Sequence, residues 1–471
     1  MVNIGNRLEL FVDDHLIETV KGARLVLHRP REQNIALRYD KPWALTGGYV
    51  TVFKDGDLYR MYYSGRTGGS KSDDASGQHT CYAESRDGIT WTEPELGLFE
   101  FGGTKKNNIV HAGDGPTCHN FSPFLDTRPG VAPGEKYKAI GGHKTTGLRV
   151  LHSPDGIRWR FADQPPIQPA SPDLTRYDSQ NLAFWSEHEQ CYCCYFRIFV
   201  YPDGRHAGSG DGIRTIARTT SEDFVHWTEP VAMSFGDTPM EQLYINQTHP
   251  YYRAPHIYIA FPARFMKGRK ILSDEEGAAF GVNHHNGVGY WQDCAETVFM
   301  TSRGGNAYDR TFMEGFVRPG LDRRNWVSRC NYAALGVVPT GPDEMSLYVN
   351  RHNQQKTAHI SRFSLRTDGF SSLNAPHAGG EAVTKTLEFT GNRLVLNYAT
   401  GAGGHVRVEI QDESGSPIKG YALSDADDII GDEIERTVAW NGKPDVSALT
   451  KRSVRLRFVL KDADLYSFRF M

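Results

Sequence analysis

With 471 residues, 39% of them hydrophobic and 11% aromatic, the chain can fill more than one ordinary core. Its 53 Lys and Arg stand against 56 Asp and Glu, a formal net charge of −3 with no basic block, which excludes the phosphate-neutralising patch of a nucleic-acid binder. No run of about 18 apolar residues exists to span a membrane, and residues 1–10 lack the basic and apolar regions of a signal peptide, so no membrane partner and a cytoplasmic location are expected.

The 48 Gly and 24 Pro suit many short strands joined by turns. An apolar strand in LELFVDDHLIE, interrupted by Asp13 and Asp14, opens the chain, and residues 1–29 are expected to pack on a following domain. The segment 49–65, YVTVFKDGDLYRMYYSG, reads as two strands around the turn Lys54-Asp55-Gly56-Asp57. SRDGITWTEP then begins at Ser85, SPDGIRWRFA at Ser153 and SEDFVHWTEP at Ser221, a constant spacing of 68 residues. In the shared Ser-x-Asp-x-x-x-Trp pattern the Asp side chain can bond backbone amides just beyond it, and Gly88 and Gly156 supply the positive φ of such a turn. Weaker copies are expected at Ser302 and Asp368. Strand–turn–strand runs recur at 135–143, 180–197, 248–265 and 332–352.

Five such units predict an all-β fold, a five-bladed β-propeller over 30–372. After it, SLNAPHAGGEA reads as a linker. The alternating runs RLVLNYAT, HVRVEIQDE, RSVRLRFVLKD and LYSFRF predict a β-sandwich over 376–471. The run Cys191-Tyr-Cys193-Cys194 reads as small buried side chains, since the spacing and second cluster of a zinc site are missing and no metal is expected. The three Asp-centred turns resemble the Asp-box turns of sialidases and other sugar-binding propellers, scaffold elements away from the active face.

Polar residues recur just before the apolar inner strands, where an unpartnered polar group would be costly. Asn120, Gln180, Asn246, His249 and Asn331 therefore form an expected ring around the axis, suited to a hydroxyl-rich carbohydrate or to a structural hydrogen-bond network. Asp178, Asn246, His249 and Glu314 are expected to converge on one pocket. Glycoside cleavage needs an acid and a base or nucleophile, and the candidate carboxylates are Asp178, Glu241, Glu314 and Asp14, weighed against the ordinary reading of each as a structural ion pair. Trp43 and Tyr177 are candidate stacking rings. Arg264, His284 and His285 are further substrate contacts; adjacent histidines in extended chain point to opposite sides, which disfavours a shared metal.

In architecture the chain resembles the five-bladed propeller glycosidases related to invertases and arabinanases, glycoside hydrolase families 32, 43 and 68. Bacterial family-32-like proteins are the nearest in motif, through LFVDDHLI and DGDLYRMYYSG. The resemblance implies that Asp178, in Arg176-Tyr177-Asp178, stabilises the transition state and that Glu241 is the general acid. The invertase nucleophile motif Asn-Asp-Pro-Asn-Gly is replaced here by Trp43-Ala44-Leu45-Thr46-Gly47-Gly48, which has no carboxylate, so Asp40, Asp13 or Asp14 would have to take its place or the mechanism differs. The expected activity is an exo-acting glycoside hydrolase on a small oligosaccharide or glycoside, furanosides included, with no cofactor beyond a central-channel cation near His249 of the kind some family 43 relatives carry. The alternatives are an inverting phosphorylase resembling family 130, with Arg253, Arg264, His249, His284 and His285 on phosphate, and a non-catalytic sugar-binding propeller.

Overall fold

The computed structural model describes the chain apart from residues 68–76, 144, 168–176, 208–211, 283, 286 and 287 and the side chains of 284, 285 and 288. It divides into two compact units: Arg31–Thr340 with Met345–Ser364, and Met1–Pro30 with Gly341–Glu344 and Leu365–Met471.

The first unit is the propeller. Blade 1 is the four-stranded antiparallel sheet Thr46–Asp55, Leu58–Arg66, Gln78–Ser85 and Ile109–His111. Blade 2 is Ser122–Leu125, Tyr137–His143, Gly147–Ser153 and Arg160–Phe161. Blade 3 is Leu182–Ser186, Cys191–Val200, Ile213–Ser221 and Val231–Ala232. Blade 4 is broken across its middle. Ala254–Ala260 and Ala263–Met266 form its second strand and Cys294–Val298 and Met300–Ser302 its third, with the break at Pro262, which has no N–H for the ladder. Blade 5 pairs Tyr332–Ala333 and Val338–Pro339 with Glu344–Arg351, then His359–Arg366, then Arg31–Arg38. The earliest strand of the unit is thus the outer strand of its last blade, which closes the ring and leaves no long free edge.

The inner strands of blades 5 and 1 meet directly: Leu335 N donates to Val50 O and Val52 N to Leu335 O, each at 2.8 Å. Gly336, at φ 114°, is required there, because a Cβ would lie 1.9 Å from Val52 O. At one end of the axis all five inner strands line a largely apolar cavity of about 470 Å³, through residues such as Phe53, Phe124, Trp185, His249 and Val338.

The Asp-centred turns form as expected. The Oδ1 atoms of Asp87, Asp155 and Asp223 each accept two backbone N–H groups at 2.7–2.9 Å, from residues two and three further on. Phe224 fills the glycine position of the third turn at φ 68°, beside 72° and 74° for Gly88 and Gly156. Its ring repays the strain by packing on Tyr192 at 4.8 Å and Trp227 at 5.3 Å. Ser85, Ser153 and Ser221 pair with Tyr59, Tyr137 and Tyr192 beside the hairpins that follow the inner strands, so the turns sit at the cavity end of the blades. The expected copy at Asp368 is not one: Asp368 lies in the second unit, is itself left-handed at φ 63°, and accepts from Asn397 and Ser467.

The second unit is built on an eight-stranded sheet dominated by two long strands, Leu394–Gln411 and Arg455–Phe470. They pair along their length, with a register jump between Thr400 and His405 where Gly401-Ala402-Gly403-Gly404 lets the sheet bend. Burial alternates along both, and the inward rings of Phe11, Trp440, Phe458 and Phe468 share one core. The N-terminal segment belongs here, with Ile17–Lys21 and Arg24–Leu27 as strands of the same sheet. The expected linker is also partly strand: Ser371–Ala375 pairs with Arg24–Leu27 and with Arg455–Phe470, so the unit takes up the chain at Leu365. Polar letters misled there because Ser371 and Ser372 are buried and bonded, to Phe11 O and to Asp464.

Candidate functional site

The lead-ins to all five inner strands meet at the end of the axis opposite the apolar cavity. Blade 1 brings Tyr49, blade 2 His119 from the short helix Gly115–Asn120, blade 3 Asp178, blade 4 Tyr244, and blade 5 Arg329 and Tyr332. The second strands of blades 1 and 3 add Arg66 and Arg197. Tyr49, Tyr177, Gln247, Arg329 and Asn331 all hold left-handed backbone, with φ between 47° and 65°. Non-glycine residues seldom do so, and such strain gathers where the chain must aim side chains at one point.

Asp178 is the only carboxylate in this mouth among the described residues. Arg197 donates to its Oδ1. Burial pushes the carboxyl up, but the Arg197 guanidinium, with smaller help from His119 and His143, outweighs it and brings the pKa below the ordinary value. His119 is held down to about 3, by burial first and by the Arg66 charge second. The neutral imidazole then donates from Nε2 to Asp178 O at 3.1 Å, while Nδ1 lies 2.9 Å from the Gln78 side chain and 3.5 Å from Arg66 Nη2. Tyr49 donates to the same carbonyl at 3.3 Å and stands edge-on to His119 at 5.4 Å.

The pKa values of Tyr49 and Tyr244 shift in opposite directions. Burial raises Tyr49 well above the ordinary phenol. Burial also pushes Tyr244 up, but Arg329 and then Arg197 outweigh it and its pKa is lowered. The Arg197 and Arg214 guanidiniums stand 5.1 and 5.5 Å from the Tyr244 ring centre, and Tyr332 is stacked obliquely beside it at 5.6 Å. The mouth therefore offers one ionised carboxylate, one acidified phenol, a neutral imidazole and an excess of guanidinium charge.

A second cluster occupies a cavity of about 660 Å³ in blade 4, lined by Glu241, Arg264, Glu296, Glu314, Arg318 and Trp326 among others. Arg264 bridges two of the carboxylates, donating to Glu241 Oε1 at 2.6 Å and from Nε to Glu296 Oε1 at 3.1 Å. Arg310 takes the other oxygen of Glu241. With both oxygens engaged by guanidiniums, Glu241 has the geometry of an ion pair rather than of a proton donor.

The expected convergence of Asp178, Asn246, His249 and Glu314 on one pocket is not what the structure shows. Asp178 is in the mouth, Glu314 in the blade 4 cavity with Glu241 and Arg264, and His249 lines the apolar cavity at the other end. The polar residues beside the inner strands brace the backbone instead. Asn120 donates to Gly142 O at 2.9 Å and Ser179 O at 3.1 Å, and Asn331 to Ala295 O at 2.8 Å and Asn325 O at 3.0 Å. Asn246 Oδ1 accepts from Thr248 N, and Gln180 donates to Thr51 Oγ1 and accepts from Gln247 inside the channel. Tyr177 is a core ring against Phe196, and Trp43 is tied to Asn108 and Phe101. Asp14 is exposed in a turn of the second unit, where its carbonyl accepts from Ile17 N. Arg176 and the side chains of His284 and His285 lie outside the described residues. Among those residues no three His, Cys, Asp or Glu side chains gather to hold a metal ion, and no helix is long and apolar enough to cross a membrane.

Of the mouth residues, His119, Tyr49, Arg66, Arg197 and Arg329 were missed as site candidates. Their common signal is position: all but the two strand arginines sit within a few residues of the start of an inner strand, the phase at which Asp178 was found.

No family model matches the chain, and no curated protein does. Among solved structures it is similar to a glycoside hydrolase with 12% identity over 72% of this chain and 92% of the other, at a TM-score of 0.49. An N-acetylgalactosamine deacetylase from F. plautii, in complex with blood group B trisaccharide, matches with 12% identity over 73% and 96%, at 0.46. A fructofuranosidase from Schwanniomyces occidentalis, complexed with fructosylnystose, matches with 10% identity over 93% and 97%, at 0.39.

Proposed function

We propose that the protein is a glycoside hydrolase that works in the mouth of the propeller, exo-acting on a small oligosaccharide or glycoside. The observation that supports this most is the pairing, in one mouth, of the ionised Asp178 with the acidified phenol of Tyr244. A carboxylate without its own proton stabilises the positive charge that grows on an anomeric carbon. A phenol whose pKa is lowered is a better proton donor to the departing oxygen than an ordinary one. In this reading Asp178 is the charge stabiliser, Tyr244 the acid, and Tyr49 and Tyr332 the walls against which the ring lies. The exo preference is part of the proposal; beside these groups lies a small cavity of about 20 Å³, lined by Tyr49, Tyr332, Arg66 and Arg329 among others.

A panel of aryl glycosides, pyranosides and furanosides both, tests the reading. One member should be cleaved, and Asp178→Asn should lower its kcat by about 10²–10⁴, measured at a temperature where the variant is folded, since leaving the buried Arg197 without its carboxylate also costs stability. Full activity in that variant would refute the assignment.

A further inference from the structure

The small pocket, of about 20 Å³, that holds Arg66 and Arg329 carries positive charge that no carboxylate among the described residues pairs with. Both arginines line it, together with Tyr49, Tyr332, Asn350 and Asn353. Arg197 has Asp178, and Arg264 and Arg310 have Glu241. Among the described residues neither Arg66 nor Arg329 has an ion pair. Arg66 is only 7% exposed, and among the described residues its side chain makes one hydrogen-bond contact, the 3.5 Å approach to the neutral His119. Its Nε and the hydroxyl of Tyr332, which is 5% exposed, are buried with no hydrogen-bond partner among the described residues. A buried guanidinium with unused donors is costly to keep unless an anion completes it. Arg329 is moreover held at φ 65°, a strained backbone that sets its guanidinium between the rings of Tyr290, at 4.7 Å, and Tyr244, at 5.9 Å.

We propose that Arg66, Arg329 and the Tyr332 hydroxyl form an anion subsite, and that its ligand is the carboxylate of an acidic sugar. This rests on the reading of the mouth as a sugar-processing site and names its substrate class. Guanidinium donors match the two oxygens of a carboxylate. A carboxylate carried by the sugar puts the charge and the ring in one mouth, so that the Tyr49 and Tyr332 rings serve the sugar while the arginines and the Tyr332 hydroxyl hold the acid. Free phosphate would use the arginines and leave the aromatic walls idle.

Calorimetry on the full chain tests this with D-glucuronate and D-galacturonate, their methyl esters, glucose, galactose and inorganic phosphate. A uronate should bind at least about tenfold more tightly than its own methyl ester, and Arg329→Gln should bring the two within about twofold. The ester comparison needs no variant, so a misfolded substitution cannot decide the result. Equal or tighter binding of the esters or the neutral sugars overturns the subsite. So does phosphate binding that a uronate does not match. Cleavage of neutral glycosides with uronides ignored would remove the subsite and leave the hydrolase reading standing; binding of no sugar at all would remove both.

Discussion

Arg197 reaches from the second strand of blade 3 to the carboxylate of Asp178, which lies just before the inner strand of the same blade. The pair is local to one blade and needs no neighbour to assemble. Burial alone would push the Asp178 carboxyl up, and Arg197 reverses that. Replacing Arg197 with Gln should therefore move the acid limb of the kcat/KM profile to higher pH, because the carboxylate then loses its proton later. An acid limb unchanged in Arg197→Gln would show that Asp178 does not govern it.

Glu241 should behave as a structural residue. Its partners Arg264 and Arg310 are 16% and 1% exposed at the side chain, so Glu241→Gln leaves the buried Arg310 without its carboxylate and Arg264 with Glu296 alone. The expected cost is about 2–4 kcal/mol in denaturant unfolding. Any loss of rate should be the same for good and poor leaving groups. A selective loss on poor leaving groups would restore Glu241 as the acid.

Acid should unfold the protein through buried histidines. Burial holds His111 and His249 down to about 4 and His119, with Arg66 beside it, to about 3, against an ordinary value of 6.5. Below 6.5 the unfolded chain takes up protons that these rings refuse, so the stability they contribute is complete above that pH and is lost as pH falls toward 4. His249 packs beside Phe261 at 5.9 Å in the apolar cavity, its Nε2 has no hydrogen-bond partner among the described residues, and its Nδ1 donates to Gln247 O at 2.9 Å, so His249→Phe removes a titrating group at little steric cost and with the loss of one hydrogen bond at every pH. The variant should lose about 1–3 kcal/mol less than the parent between pH 7 and pH 4. Identical slopes would exclude His249 from the effect.

The Asp-centred turns lie at the cavity end and should matter to stability alone. Asp155→Ala withdraws an acceptor from the Ile157 and Arg158 amides and should cost about 1–2 kcal/mol. Turnover of any cleaved glycoside should be unchanged at a temperature where the variant is folded. A changed kcat would mean that the turn communicates with the mouth.

The blades were legible because their signals are local and repeat. The 68-residue interval follows from the same turn recurring at the end of the third strand of successive blades, and Ser85, Asp87 and Gly88 specify their turn from within it. The mouth was less legible because the alternation used to read it fails there. In a regular strand successive side chains point to opposite faces. A left-handed residue at Tyr49, Tyr177, Gln247 or Asn331 breaks that parity just where the inner strands of blades 1, 3, 4 and 5 begin. Polar residues such as Asn120 and Asn331, expected in the channel, were turned inward to carbonyls, while the rings of Tyr49 and Tyr244 gather around Asp178. Arg66 and Arg329 gave no signal of their own, since an isolated arginine reads as a surface residue until its burial is known. Phe224 departs from the turn pattern at its glycine position, and its ring packing explains why the turn still forms.

Tyr244 carries the last expectation. Removing its hydroxyl in Tyr244→Phe keeps the ring beside Tyr332 and Arg197, so the fold should be unaffected. As the proton donor it should matter most where the leaving oxygen is basic. Rates on alkyl glycosides should fall by about 10²–10⁴, with a smaller loss on activated aryl glycosides. Its pKa is lowered by Arg329 first and Arg197 second, against the push of burial. Arg329→Gln should then raise it, and the alkaline limb of the pH profile, which marks loss of the phenol proton, should move to higher pH. A purely structural Tyr244 would leave that limb where it is in Arg329→Gln and would lower alkyl and aryl rates alike in Tyr244→Phe. Agreement of the two experiments would place the proton on the phenol, and a shift of the limb without leaving-group dependence would place Tyr244 as a positioning residue for another acid.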